Sequence, residues 1–168
     1  MSAPSRIDDD PLALERQVCF ALAVASRTVI SVYRPVLEPM GLTHPQYLVM
    51  LALWGEEPLS VTDLSRRLEL DPATLSRLLR RLESAGLVRR DRNPADERSL
   101  AVALTAAGRD LRTQALAVPG TVLQRLGMGL EELMELRDRL TEVIGAAKAA
   151  TDAATDAGTV AGTEAQPA

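Results

Sequence analysis

The chain has 168 residues and a formal net charge of −4, and it is 46% hydrophobic but only 2% aromatic. Its single cysteine, Cys19, excludes an intramolecular disulfide and a cysteine-cluster metal site. We find no apolar run near the eighteen or so residues of a transmembrane helix and no secretory signal, so we expect a cytoplasmic protein of one domain plus extensions, with no membrane partner.

The charge is unevenly distributed along the chain. Residues 60–112 carry 11 arginines against 8 acids, a local charge of +3, whereas the remainder carries −7. A basic segment in an acidic chain is typical of a nucleic-acid-binding surface.

The first predicted element is a helix over residues 11–34, after a flexible segment at 1–10. Pro35 is expected to end this helix. The residues that recur at helical spacing are Leu12, Cys19, Leu22, Ser26, Val29 and Tyr33. A second helix is predicted from Thr43, which forms a capping box with Gln46, to Gly55.

The middle of the chain predicts a helix-turn-helix. A short helix over 61–68 follows Ser60, and a stronger one over 72–85 has Asp71 as N-cap and Gly86 as its stop. The three-residue link between the two helices fits this motif. The segments LVRRDR and RSLAVALT, around the turn NPADE, then predict a β-hairpin wing. Together these elements predict a DNA-binding lobe at about 56–105.

The last predicted region, residues 106–148, consists of long amphipathic helices. Thr105 caps the first of these helices, VPG at 118–120 interrupts the run, and leucines continue at spacings of three and four. Residues 149–168 contain almost no large apolar side chain and are predicted to be disordered. The expected fold is therefore mainly α with a small β-hairpin wing: a winged helix-turn-helix domain over 11–148, flanked by N- and C-terminal dimerisation helices.

Polar and basic side chains of the lobe are candidate DNA contacts, because arginine reads guanine edges and binds phosphates. The N-terminal end of the second helix of the motif is expected to enter the major groove and the wing a minor groove, with Asp96 orienting Arg98. The predicted contacts are Pro72, Ala73, Thr74, Ser76, Arg77, Arg80, Arg81, Arg90, Arg92, Asp96 and Arg98. The apolar flanking helices predict a homodimer that binds two half-sites of double-stranded DNA.

Several stretches resemble the MarR family of winged-helix regulators, and most closely its organic hydroperoxide resistance branch. They are QVCFAL, YRPVLEPMGLTHPQYLVMLALW, LSVTDLSRRLELDPATLSRLLRRLESAGLVRR, DERSLAVALTAAGRDL and VPGT. The resemblance implies a dimeric repressor on a palindromic operator, released when an organic hydroperoxide oxidises Cys19. The one-cysteine type then forms a mixed disulfide with a low-molecular-weight thiol, or over-oxidises. No cofactor is implied.

The chain departs from that branch at three places. Position 23 is Ala and position 44 is His, where the branch usually has tyrosines that support the thiolate, and PATLSR in the second helix of the motif differs too. The third expected tyrosine, Tyr33, is present. We hypothesise that His44 replaces a tyrosine and, when protonated, stabilises the thiolate, although it could instead only cap or pack at the start of its helix.

Cys19 and Tyr33 lie fourteen residues apart, or roughly 21 Å along one helix. They cannot meet within one helix. They can meet if two first helices cross antiparallel in a dimer, so that Tyr33 and His44 of one subunit approach Cys19 of the other. Three alternatives remain open: a MarR-type repressor that binds a small hydrophobic or phenolic ligand, with Cys19 only structural; a thiol-dependent peroxidase; and a plain helical interaction module. We expect a regulator and not an enzyme.

Overall fold

A computed structural model of the chain describes residues 10–93 and 96–161. Within these ranges, residues 92–93, 96–99 and 154–161 are described by their backbone alone. The segment predicted to be flexible, 1–10, lies outside the described residues except for Asp10. The chain divides into two compact units, with the boundary between Arg125 and Leu126.

The first long helix, α1, covers Val18–Leu37, between 3-10 turns at Leu14–Arg16 and Glu38–Met40. The prediction that Pro35 ends this helix is wrong, because Pro35 lies inside α1. Proline removes only its own backbone donor here, and the Glu38 N–H still bonds the Arg34 carbonyl. The α1 helix ends at Leu37 and is followed directly by the Glu38–Met40 turn, which Gly41 ends with a φ of 65°, in the left-handed region.

The α1 helix and the turn after it, Val18–Met40, form a 23-residue segment that is long and apolar enough to cross a membrane. This corrects our expectation that the chain holds no such run. Length and composition alone make weak evidence, because core helices of soluble proteins meet the same criterion. Within α1 only Leu37 is buried.

The second helix, α2, covers His44–Gly55 and starts with the predicted capping box. The Thr43 backbone N–H donates to Gln46 Oε1 at 2.9 Å. The helix is apolar on most sides and supplies Val49, Met50 and Leu53 to the core.

The predicted helix-turn-helix is confirmed as α3, Val61–Leu68, and α4, Pro72–Ser84. Ser60 caps α3 by accepting the Asp63 backbone N–H at 3.0 Å. In the turn, Glu69 takes a left-handed φ of 53°, and the Ser65 hydroxyl donates to the Leu70 carbonyl. The predicted buried stripe of α4 is also confirmed: Leu75, Leu78, Leu79 and Leu82 are buried.

The wing consists of β2, Val88–Asn93, and β3, Asp96–Leu104, paired antiparallel as predicted. A third strand that we did not predict, β1 at Leu59–Ser60, pairs with the other edge of β3, so the sheet order is β1-β3-β2. Two residues are too short to show a strand periodicity. The hairpin tip at 94–95 lies outside the described residues.

Three helices follow the wing: α5, Ala106–Ala115, α6, Val118–Leu126, and α7, Leu130–Ala161. Thr105 caps α5 as predicted, with its hydroxyl accepting the Gly108 N–H at 3.0 Å. The predicted break at 118–120 is displaced, since the helix ends at Ala115 and VPG forms the first turn of α6, where proline is tolerated.

The α7 helix continues to Ala161, through residues 149–161 that we expected to be disordered. This stretch is rich in alanine, the strongest helix former, which outweighs its lack of large apolar residues. The remainder of the predicted tail, 162–168, lies outside the described residues. Large apolar side chains of α7 are exposed, namely Leu130, Met134, Leu136, Val143 and Ile144.

Candidate DNA-binding surface and thiol site

The N-terminal end of α4 is built by its cap. Asp71 Oδ1 accepts the Thr74 backbone N–H at 2.8 Å. Hydrogen bonds from Thr74 hold the pKa of the Asp71 carboxyl below its ordinary value. A charged cap fixes where the helix starts, and therefore which side chains stand at its exposed end.

The predicted DNA contacts of α4 all lie off its buried leucine stripe. Pro72, Ala73, Arg77, Arg80 and Arg81 are exposed, whereas Thr74 and Ser76 are half-buried. Arg77 Nη2 donates to Thr74 Oγ1 at 3.2 Å, which places a guanidinium one turn into the helix. The predicted residues at 72–77 thus share the accessible N-terminal half of α4.

A groove of about 480 Å³ borders the start of α4. It is lined by Val61, Thr62, Ser65, Arg66, Glu69, Leu70 and Pro72. Arg66, which we did not predict as a contact, lines this groove with a side chain that is 76% exposed and ion-paired to Asp63 at 2.5 Å. The predicted turn between the two helices could have indicated Arg66 as a contact, because it brings the end of α3 next to Pro72.

In the wing, the predicted DNA contact Arg90 makes an ion pair with α4. Its Nη2 lies 2.6 Å from Glu83 Oε2, so Arg90 is half-buried against α4 and does not project freely. Arg89 is exposed and pairs with Asp91 at 2.8 Å. The side chains of Arg92, Asp96 and Arg98 lie outside what the structure describes, so their predicted roles stay predictions.

Cys19 is exposed on the first turn of α1. Tyr33 lies on the same helix, fourteen residues or about 21 Å away, so one protomer does not bring these two side chains together. The structure does join Tyr33 to His44: their rings make an edge contact, with centroids 5.0 Å apart.

Burial lowers the pKa of His44 below its ordinary value of 6.5. The neutral imidazole is therefore favoured near pH 7, which opposes the hypothesis that a protonated His44 faces the thiolate. A neutral imidazole still carries one N–H donor.

Two more aromatic residues, which sequence reasoning did not include in the site, continue from Tyr33. Tyr47 is buried with its ring centroid 6.2 Å from that of Tyr33, and burial raises the pKa of its hydroxyl. Trp54 follows at 6.2 Å from Tyr47, and its Nε1 donates to the Gly108 carbonyl at 2.9 Å. The seven-residue spacing of Tyr47 and Trp54, which puts both on one face of α2, could have indicated this aromatic cluster from the sequence.

No group of three or more potential metal ligands occurs among the residues that the structure describes.

Residues 42–100, which include the helix-turn-helix and most of the wing, match the MarR family. The organic hydroperoxide resistance transcriptional regulator of Bacillus subtilis (strain 168) is 40% identical over 131 residues, covering 78% of this chain and 89% of that protein. The chain belongs to the MarR family.

Two further comparisons agree with MarR membership. The HTH-type transcriptional regulator TtmR of Methylorubrum extorquens (strain PA1) is 45% identical over 135 residues, covering 80% of this chain and 69% of that protein. A crystal structure of overoxidized AbfR bound to DNA has a TM-score of 0.63 and 32% identity, covering 79% of this chain and 93% of that chain. The protein is thus a DNA-binding transcriptional regulator with the winged-helix fold, and its relatives are regulators and not enzymes.

Proposed function

We propose that the protein is a cytoplasmic, homodimeric repressor that leaves a palindromic operator when an organic hydroperoxide oxidises Cys19. The observation that carries this proposal is the exposure of Cys19 on α1, a helix in which Leu37 alone is fully buried. The likeness to a regulator named for organic hydroperoxide resistance supports it.

Dimer formation accounts for the uncovered apolar side chains. MarR-family regulators bind DNA as dimers. On α1, Val18, Phe20, Leu22 and Ile30 are exposed, and such a surface is typical of a subunit interface. If two α1 helices cross antiparallel, the Tyr33–His44 pair of one protomer approaches Cys19 of the partner subunit.

This crossing would place two hydrogen-bond donors beside the thiol. The hydroxyl of Tyr33 and the N–H of a neutral His44 stabilise a thiolate, which is the reactive form. The thiolate attacks one peroxide oxygen, the O–O bond breaks, and the products are a sulfenic acid and, after protonation, an alcohol. A low-molecular-weight thiol then converts the sulfenic acid to a mixed disulfide and water.

DNA binding is proposed to use the N-terminal half of α4 in the major groove. In this proposal Thr74, Ser76 and Arg77 read bases, and Arg80 and Arg81 bind phosphates. The wing contributes Arg92 and Arg98, with Asp96 orienting Arg98. A larger or polar group at Cys19 would disturb the α1 crossing and with it the spacing of the two recognition helices.

A gel-shift assay on the promoter of the protein's own gene tests this function. Cumene hydroperoxide should release wild-type protein but not the Cys19→Ser variant. Release of the variant by hydroperoxide would exclude thiol sensing. Insensitivity of the wild type to hydroperoxide, together with release by a phenolic compound, would favour the ligand-binding alternative. Sustained turnover of peroxide would instead favour the thiol peroxidase.

A further inference from the structure

Arg90 lies on the side of the wing that is turned toward the core. In the β2–β3 pairing, Val88 lies opposite Leu104 and Arg90 opposite Val102. Residues directly opposite each other in an antiparallel pair share a face of the sheet. Val88, Val102 and Leu104 are buried, so the Arg90 side chain starts from the face that carries the large buried apolar residues. Its neighbour Arg89 is exposed on the other face, opposite Ala103.

The guanidinium of Arg90 is held in a half-buried ion pair. Its Nη2 lies 2.6 Å from Glu83 Oε2, and the two side chains are 24% and 31% exposed. Its Nε is buried and has no hydrogen-bond partner among the residues that the structure describes. An ion pair in such a position is screened less by salt than one at the open surface.

The partner, Glu83, is the last residue but one of α4. It lies eleven residues beyond Pro72, or about 16 Å along the helix axis, from the end proposed to read bases. A cation near the C-terminal end of a helix is also favoured by the helix dipole. Arg90 therefore joins the wing to the far end of the recognition helix.

We propose that the Glu83–Arg90 pair fixes the angle between the recognition helix and the wing, so that Arg90 is a positioning residue for DNA binding and not a phosphate contact. The pair makes the helix and the hairpin move as one body, which lets both reach the duplex at once. This inference rests on DNA binding and not on the oxidation of Cys19, so a failed hydroperoxide response would leave it intact.

The Glu83→Gln variant distinguishes a positioning role of Arg90 from a phosphate contact, because the two roles predict opposite changes in DNA affinity. Removing an acid beside DNA weakens electrostatic repulsion, so charge alone predicts tighter binding. Loss of the positioning contact predicts weaker binding, and we expect affinity for a labelled duplex from its own promoter to fall by roughly three- to tenfold. Asp110→Asn, which removes the same charge from an exposed position of α5 outside the helix-turn-helix and the wing, should bind at least as tightly as wild type.

Arg90→Gln and the double variant complete a thermodynamic cycle. We expect each single change to weaken binding and the double variant to bind no worse than either, with the salt dependence of binding unchanged in Arg90→Gln. A salt slope that falls by about one in Arg90→Gln, with wild-type or tighter binding by Glu83→Gln, would establish a phosphate contact and overturn the proposal.

Thermal melting separates positioning from stability. Affinities are compared well below the melting temperature of each variant, after circular dichroism shows that it is folded. A folded Glu83→Gln protein that melts earlier but binds like wild type would reduce the pair to a stabilising contact and would equally refute the proposal.

Discussion

Gly108 stands where α5 passes closest to the segment that follows α4. A Cβ at this position would lie 2.0 Å from the Leu87 carbonyl oxygen, a backbone atom that cannot move aside cheaply. The same residue's carbonyl accepts the Trp54 indole N–H. A glycine is therefore required by space and not by its φ angle.

We predict that Gly108→Ala lowers the free energy of unfolding by about 1–3 kcal/mol, the usual effect of overpacking. Urea denaturation measures this change. The matched control is Gly120→Ala in α6, where a Cβ meets nothing within 4 Å. The control should be stabilised by about 0.5–1 kcal/mol, because alanine is the better helix former. Equal stability of the two variants would contradict the close approach.

Burial of His44 is expected to make the free energy of unfolding rise with pH. Burial lowers its pKa in the folded state, so the unfolded chain binds more protons between that pKa and 6.5. Stability contributed by the neutral imidazole is thus present above 6.5 and is lost as the pH falls through this window. We predict that His44→Gln flattens the fall in melting temperature between about pH 7.5 and 5.5. An unchanged slope would show that His44 is not buried.

The proposed pairing of Tyr33 and His44 with a thiol shows what residue patterns can and cannot establish. Sequence spacing placed Cys19 and Tyr33 on one helix and excluded their contact within it. The edge contact of Tyr33 with His44 and the extension through Tyr47 to Trp54 depend on how α1 packs against α2. That packing has no local sequence signature.

At the scale of elements, Thr105 secures the junction between the wing and α5. Its hydroxyl accepts the Gly108 N–H and donates to the Gly86 carbonyl at 2.6 Å. Thr105→Val is predicted to lower the free energy of unfolding by about 1–2 kcal/mol, since it removes a helix cap.

The control for Thr105→Val is Thr121→Val in α6. The Thr121 hydroxyl donates only to the Ala117 carbonyl, which already accepts the Thr121 backbone N–H. Its replacement should change stability by less than about 0.5 kcal/mol. Thermal melting that ranks the two variants in the opposite order would contradict the assigned cap.

The starts of the helices were predictable because an N-cap residue, which is recognised from the local sequence alone, marks each of them. Thr43, Ser60, Asp71 and Thr105 all cap the helices that their positions predicted. Helix ends were less predictable: Pro35 is accommodated within α1, and alanine carries α7 beyond residue 148. The helical preference of the surrounding residues outweighed the proline in α1 and the lack of large apolar side chains in α7.

At the scale of the whole molecule, the proposed dimer predicts that the exposed apolar side chains of α1 form the subunit interface, which a substitution on this helix can test. Leu22 is 38% exposed on this stripe. A twofold axis would bury the exposed part of two Leu22 side chains, which contributes about 1–2 kcal/mol in all. We therefore predict that Leu22→Lys, which also places two charges in the interface, raises the dimer dissociation constant at least about 10-fold. Sedimentation velocity measures the change.

The control is Leu100→Lys, a similarly exposed leucine of the wing at 48%. It should leave the dimer intact. A monomeric wild type, or a Leu22→Lys protein that sediments as wild type, would contradict the role assigned to α1. The uncovered apolar faces indicate that subunits associate, but a sequence does not specify which surface covers which face, so the arrangement of the subunits could be predicted only in outline.

The central claim, that oxidation of Cys19 releases the protein from DNA, is tested most directly by following both events in one sample. Wild-type protein on fluorescent promoter DNA is titrated with cumene hydroperoxide in the presence of a small thiol. Anisotropy reports the bound fraction, and intact-protein mass spectrometry reports the modified fraction of Cys19. We predict that the released fraction rises in step with the modified fraction. Complete modification of Cys19 with the DNA still fully bound would contradict the account.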